Sequence, residues 1–317
     1  MSLLSQAVTI LLNGLQQGAI FALLGIGLTI ILGTMRFLNL AHGALYLVGA
    51  YIGMFVVRET TLTNGVLQSI GITNYGVGLG FLAALILVPI IGVAVGAFME
   101  RFVAEPFYDR PETDQLLVTF GLALVVEELI KQVVGGNTFQ PIPPQTIFGI
   151  QMSGPVTLPI VGGFPRWRLY LVLLAGIVIV LTFLIIERTD FGLVVQAGTR
   201  DSEMVRLLGI PINRSYTLVF AVGASLAAFA GLVGASIQTI SPQIGTQQAL
   251  IPAFLTIVVG GAGSVVGAIA GGMVLGLIVA AFQQTFSQWA FIMMYLFVAL
   301  VLVFKPEGLF GGVEVGE

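Results

Sequence analysis

The segment from Ala7 to Leu32 carries no charged side chain, and no Lys or Arg occurs before Arg36. A bilayer core about 30 Å thick is crossed by roughly 20 mainly apolar residues in a helix. This first run is long enough to cross, and too long for the apolar stretch of an ordinary cleavable signal peptide. Comparable runs follow at Leu40–Val57, Val77–Met99, Gln115–Val134 and Leu169–Ile186, then at Tyr216–Ile237, Leu250–Gly260, Val265–Gln284 and Trp289–Phe304. The expected fold is therefore an all-α polytopic membrane helical bundle of about eight to nine transmembrane segments. Leu250–Gly260 is too short to span alone and reads as a broken or re-entrant piece interrupted by Gly260, Gly261 and Gly263. Such backbone persists at membrane depth only when buried in protein or lining a wet cavity.

Composition agrees. Of 317 residues, 57% are hydrophobic and 9% charged, against about 25% charged in soluble domains, too few to cover a water-facing surface. A net charge of −3 offers no basic footprint for nucleic acid. The lack of cysteine excludes disulfides, thiolate metal sites and Cys nucleophiles, and a single histidine excludes a multi-His metal centre. No G-x-x-x-x-G-K-[ST] string occurs, and the two lysines, Lys131 and Lys305, stand in other contexts. No cofactor, metal or nucleophile–base constellation is expected, so the chain reads as no enzyme. Any ATP-driven step must be powered by another subunit.

The linkers differ in kind. Residues 59–76 and 135–168 are rich in Gly, Pro, Asn, Thr and Gln, including the QPIPPQ run at Gln140–Gln145, and read as extramembrane turns with short extended pieces. Residues 100–114 and 187–214 gather the arginines, which places both in the cytoplasm. Alternation along nine crossings then puts the N-terminus outside and Lys305 inside. Eight basic residues fall inside (Arg36, Arg101, Arg110, Arg188, Arg200, Arg206, Arg214, Lys305) and four outside (Arg58, Lys131, Arg166, Arg168).

Glycines recur one helical turn apart at Gly14/Gly18, Gly49/Gly53, Gly92/Gly96, Gly267/Gly271 and Gly272/Gly276. Small residues at this spacing let helix backbones approach where lipid supplies no hydrophobic drive. Ordinary packing explains them, as does a compact region at Gly260–Gly276 that shifts during transport.

Ionisable groups within spans are functional suspects. Glu127 and Lys131, four residues apart, can pair on one face of the fourth span, with Glu128 beside them. Near the outer helix end they read as a snorkelling interfacial pair or as a polar vestibule. His42 follows Asn39 in FLNLAHG; it reads as a hydrogen-bonded residue of a turn, or as a pH switch. Asn13, Gln16 and Gln17 in the first span and Thr119 in the fourth either line a polar path or cross-link helices. The candidate substrate path is Gln16, Gln17, Asn39, His42 and Thr119.

Within ERTDFGLVVQAGTRDSEMVRLLGIPINR (residues 187–214), Asp201 or Ser202 can cap a short helix over Glu203–Leu208, ended by Gly209, with Pro211 blocking continuation. Met204, Leu207 and Leu208 make an apolar stripe among Arg200, Glu203 and Arg206. Such a helix either lies on lipid headgroups or inserts into a groove on a partner protein.

Five strings in order resemble the permease subunits of branched-chain amino acid ABC transporters, a family that includes urea and amide importers. NGLQQGAIFALLGIGLTIILG is similar to the glycine-rich first span of that family. LNLAHGALYLVGAY resembles its N-[FL]-A-H-G…G-A-Y signature and places Asn39, His42, Gly43, Gly49 and Tyr51 on it. PFYDRPETDQLLVTFGLAL resembles the entry to the fourth span, and ERTDFGLVVQAGTRDSEMVRLLGI the loop that engages the ATPase. LTIVVGGAGSVVGAIAGG and KPEGLFG complete the series. Arg36 and the charges of the fourth span depart from the family pattern.

The resemblance implies one transmembrane permease domain over residues 1–317, in a bacterial cytoplasmic (inner) membrane. Its implied partners are two ABC ATPase subunits, a homologous second permease or a second copy of itself, and an extracytoplasmic substrate-binding protein. The cytoplasmic loop 187–214 becomes the coupling element, carried by Arg200, Asp201, Glu203, Met204, Arg206, Leu207, Leu208 and Gly209. The expected substrates are leucine, isoleucine, valine or a related small polar solute. The competing reading is an ATPase-independent secondary transporter or channel, whose marks would be midplane carboxylates or a charged filter.

Overall fold

A computed structural model of the chain describes residues 2–57, 60–61, 74–75, 80–141, 143–144, 146–147, 150–200, 204 and 212–310. Among these, α-helices dominate. They are α1 (Leu3–Met35), α2 (His42–Val57), α3 (Gly80–Met99), α4 (Glu112–Val134), α5 (Arg166–Arg188), α6 (Asp190–Arg200), α7 (Ile212–Ala235), α8 (Ile251–Gly260), α9 (Val265–Thr285) and α10 (Ala290–Phe304). A π-helical turn, Glu100–Ala104, extends α3, and a second, Gly245–Leu250, leads into α8. Three small antiparallel hairpins pair β1 (Thr60–Thr61) with β2 (Asn74–Tyr75), β3 (Thr146–Ile147) with β4 (Ile150–Gln151), and β5 (Pro155–Leu158) with β6 (Gly162–Pro165). These extended pieces lie in the two polar linkers.

Among the described residues, six helical segments are long and apolar enough to cross a membrane: Leu3–Met35, Gly80–Phe107, Arg166–Arg188, Arg214–Ala235, Val265–Thr285 and Ser287–Phe304. The difference from the eight to nine segments read from the sequence lies in three helices. His42–Val57 and Gly245–Gly260 are apolar but shorter. Glu112–Val134 has the length but carries Glu112, Asp114, Glu127, Glu128 and Lys131.

The chain divides into two compact units. The first comprises Met1–Thr29, Gln145–Ile185 and Pro252–Glu317; the second comprises Ile30–Pro144 and Ile186–Ile251.

In the first unit, α1 and α9 meet on glycines. A Cβ added to Gly18 would lie 2.8 Å from Met273 Cα, and one on Gly272 would lie 2.7 Å from Ala22 Cα. No real side chain tolerates such approaches, so the two backbones are nearly in contact. Phe21, Val259, Leu275, Val279, Ala290, Met294 and Val298 form the apolar core beside this seam. Because lipid is as apolar as these side chains, the gain on association comes from close packing and not from release of water. Between α8 and α9 the chain reverses through Gly261 (φ 99°) and Gly263 (φ 84°), left-handed conformations that cost other residues roughly 1–2 kcal/mol. Ser264 then caps α9, its Oγ accepting from Gly267 N at 2.9 Å. The KPEGLFG segment closes over this reversal: Leu309 N donates to Val259 O (2.7 Å) and Phe310 N to Gly260 O (3.1 Å).

The second unit is organised around α7. Gly49 of α2 faces the Ala228 backbone, and Gly231 of α7 faces the Tyr46 carbonyl in return. On another side, Gly92 and Gly96 of α3 lie against Ser225 and Ala224. Ser225 Oγ adds a bond to Pro89 O at 3.1 Å, beside the proline inside α3.

Candidate functional site

The substrate-path candidates of the second unit, Asn39, His42 and Thr119, converge on the reversal between α1 and α2. Helix α1 stops at Met35, and Arg36, with φ of 50°, takes the left-handed position usually given to glycine. Its N–H still reaches Leu32 O at 2.9 Å. Asn39 then turns the chain inward: its Oδ1 accepts from Ala41 N at 3.0 Å, the local turn that Asn forms readily. Asn39 and His42, the first residue of α2, are both completely buried. Asn39 Nδ2 has no hydrogen-bond acceptor among the described residues.

Two residues of α4 hold this turn from outside. Thr119 Oγ1 accepts from Leu40 N at 3.0 Å and gives its own proton to Gln115 O at 2.7 Å, with Leu38 O an alternative acceptor at 3.3 Å. One turn earlier, Gln115 Oε1 accepts from Leu38 N at 3.3 Å, while its Nε2 donates to Phe107 O and Arg110 O, each at 3.2 Å. Gln115 thus ties the 36–41 turn to the linker 105–111. Sequence reasoning found Thr119 and missed Gln115. The available signal was its position four residues before Thr119, on the same helical face.

A second polar node was also missed. Glu100, at the start of the π-helical turn, is 1% exposed. Its carboxyl group accepts from Tyr108 Oη on one oxygen (2.6 Å) and from Thr217 Oγ1 on the other (2.7 Å). Burial, with the neighbouring Glu100 adding to it, pushes the Tyr108 hydroxyl far above its ordinary range, so this donor keeps its proton. Tyr108 stacks edge-on against Phe37 (5.7 Å between centroids) and Tyr216 (5.4 Å).

Other expectations resolve differently. Lys131 bonds Glu128 at 3.3 Å on the exposed face, whereas Glu127 accepts from Thr246 Oγ1 at 3.1 Å; the expected Glu127–Lys131 pair gives way to the i,i+3 partner. In the first unit, Gln16 is buried and Gln17 half-buried on α1, and Asn13 Oδ1 accepts from Arg168 Nη1 at 3.0 Å. The 187–214 segment opens with α6, capped by Thr189, whose Oγ1 accepts from Gly192 N at 3.3 Å. Of the coupling residues, Asp201, Glu203, Arg206, Leu207, Leu208 and Gly209 lie outside the described residues. So does the helix read over Glu203–Leu208, apart from the exposed and helical Met204; Arg200 ends α6. Among the described residues, no three His, Cys, Asp or Glu gather as metal ligands.

The second unit also holds a narrow cleft of about 20 Å³, room for little more than one water, lined by Gly53, Met54, Phe81, Leu232, Gln140 and Ser236, among others.

A family model described as "Branched-chain amino acid transport system / permease component" matches residues 10–304. The chain belongs to this permease family. One relative, the high-affinity branched-chain amino acid transport system permease protein BraD of Pseudomonas aeruginosa, is 31% identical to this chain, with 96% of each chain covered. LivH of Salmonella typhimurium, which bears the same description, is 28% identical over 96% of this chain and 95% of its own. LivM of the same organism is 26% identical over 92% of this chain and 67% of its own. No solved structure matches. Family membership and the crossing-length helices together make this permease a multi-pass membrane transport protein.

Proposed function

We propose that this permease is the membrane-spanning subunit of an ABC importer that translocates branched-chain or related amino acids across the bacterial cytoplasmic membrane. The observation that carries the reading is the family match across nearly the whole chain, joined by relatives named as branched-chain amino acid permeases. Residues 1–317 act as one permease domain of eight to nine membrane segments. In this count α2 and α4 are membrane segments beside the six long apolar ones, and the Gly245–Gly260 helix is a broken or re-entrant piece. A binding protein delivers substrate from outside. The permease pairs with a homologue, in the way that relatives of two kinds, LivH and LivM, suggest.

No phosphate-binding loop occurs in the sequence, so two separate ATPase subunits supply the driving force. They push on the segment Arg200–Gly209, whose Met204, Leu207 and Leu208 seat in an ATPase groove while Arg200, Asp201, Glu203 and Arg206 border it. The candidates for polar lining of the path are Gln16 and Gln17 in the first unit and, separately, Asn39, His42 and Thr119 in the second. Arg206→Glu and Leu207→Asp are the test: both should abolish uptake of radiolabelled leucine while the protein stays inserted. Uptake and ATPase co-purification that both survive these changes would refute the coupling role. Uptake by this polypeptide alone in vesicles, driven by an ion gradient, would establish the secondary-transporter reading instead.

A further inference from the structure

We propose that Glu100 is a positioning latch through which movement of the 187–214 segment reaches the buried Asn39–His42 turn. The inference rests on the importer reading above and adds a residue and a route to it.

A carboxyl group buried to 1% exposure is costly unless its oxygens are satisfied. Here both are, and by donors from different elements: Tyr108 in the linker before α4 and Thr217 in the first turns of α7. Thr217 stands three residues after Arg214, the end of the charged segment. Thr217 thus ties the first turns of α7 to buried Glu100 close to where the chain leaves that segment. Glu100 itself sits where α3 loosens into a π-helical turn, a backbone form frequent at functional positions.

From the latch the contacts continue without a gap. Tyr216, beside Thr217, stacks on Tyr108; Tyr108 stacks on Phe37; Phe37 also meets Phe220 of α7 at 6.4 Å between centroids. Phe37 belongs to the turn whose amides are held by Gln115 and Thr119, and Gln115 binds the 105–111 linker as well. Rotation or translation of the start of α7 must either carry Glu100 and Tyr108 along or break the Thr217–Glu100 hydrogen bond and the Tyr216–Tyr108 ring contact. The structure holds the closed arrangement, and on this proposal breaking the Thr217–Glu100 bond gives the open one, the pair of states that transmission between sites requires.

The chemistry picks the variants. Glu100→Gln leaves one acceptor oxygen, so one of the two hydroxyls must turn to accept from the new NH₂ and loses the acceptor of its own proton. Tyr108→Phe and Thr217→Val each remove one donor with little change of shape. The full importer (this permease with its partner permease, ATPases and binding protein) is reconstituted in proteoliposomes. Radiolabelled leucine uptake and ATP hydrolysis are then measured together.

Glu100→Gln should lower leucine imported per ATP by about three- to thirtyfold, with assembly and basal hydrolysis unchanged. Adding Thr217→Val to Glu100→Gln should cost little more, because both changes open the same latch. An unchanged ratio, or losses that multiply independently, overturns the latch. If Glu100→Gln fails to assemble, Tyr108→Phe decides by the same ratio. If wild-type vesicles import no leucine on ATP addition, the importer reading itself falls, and the latch falls with it. That outcome is distinct from wild-type coupling with an indifferent Glu100.

Discussion

Replacing Thr119 by valine tests whether the α1–α2 reversal is held from α4. Valine matches threonine in shape, so no cavity forms and the packing of α4 is kept. What disappears is the oxygen 3.0 Å from Leu40 N. A donor left unsatisfied in a partly buried place costs about 1–3 kcal/mol. At about 1.4 kcal/mol per decade, this raises the open population of the turn roughly 5- to 100-fold. Amide hydrogen exchange followed by mass spectrometry on a peptide spanning residues 36–45 reads that population directly. Faster exchange should be confined to this peptide, and Thr119→Ser, which keeps the hydroxyl, should lie close to wild type. Gln115→Leu should accelerate the same peptide and, in addition, the one covering residues 105–111, because its amide spans both. Unchanged exchange at residues 36–45 in Thr119→Val would show that the turn is held by other means, and the reasoning would fail.

Further outcomes follow from the packing. Gly276→Val puts a side chain onto the Gly18 backbone and should destabilise the protein by about 3 kcal/mol or more, beyond ordinary overpacking because backbone cannot rotate aside; thermal unfolding in detergent measures it. Gly308→Ala and Gly80→Ala make an informative pair, since both glycines have positive φ (81° and 75°). Gly80 has open space around its Cβ position, whereas Gly308 would collide with Gly261. Gly80→Ala should cost about 1–2 kcal/mol, and Gly308→Ala clearly more, in the same melting assay. Ser264→Ala removes the cap of α9 and should cost about 1 kcal/mol.

How much of this was legible in advance depends on which atoms carry the information. Long apolar runs announce themselves, and the α1, α5, α9 and α10 segments begin and end within a few residues of the sequence reading. The glycine spacings likewise pointed to close helix approaches, and Gly18, Gly49, Gly92 and Gly272 make them. Asn39, His42 and Thr119 stood out as polar residues in apolar surroundings. Glu100 and Gln115 did not, because each sits at the border of a charged linker, where a carboxyl or amide group is unremarked. Only the fold buries them, by bringing residues 108 and 217 or 38 and 107 to the same place. The choice of Glu128 over Glu127 by Lys131 was equally beyond sequence reach, since both spacings suit a helix and the decision rests on Thr246, more than a hundred residues away.

The α7 seam has a consequence for how such a chain can change over time. Along Ala224, Ser225, Ala228 and Gly231 the touching atoms are mostly backbone. Those positions have almost no rotamers to lose on ordering and hardly any alternative residue that fits. Substitutions that accumulate among distant members of the family should therefore spare this strip and collect on lipid-exposed faces. The narrowest channel for drift in the second unit is then set by glycine and alanine, the residues with the least chemistry to protect.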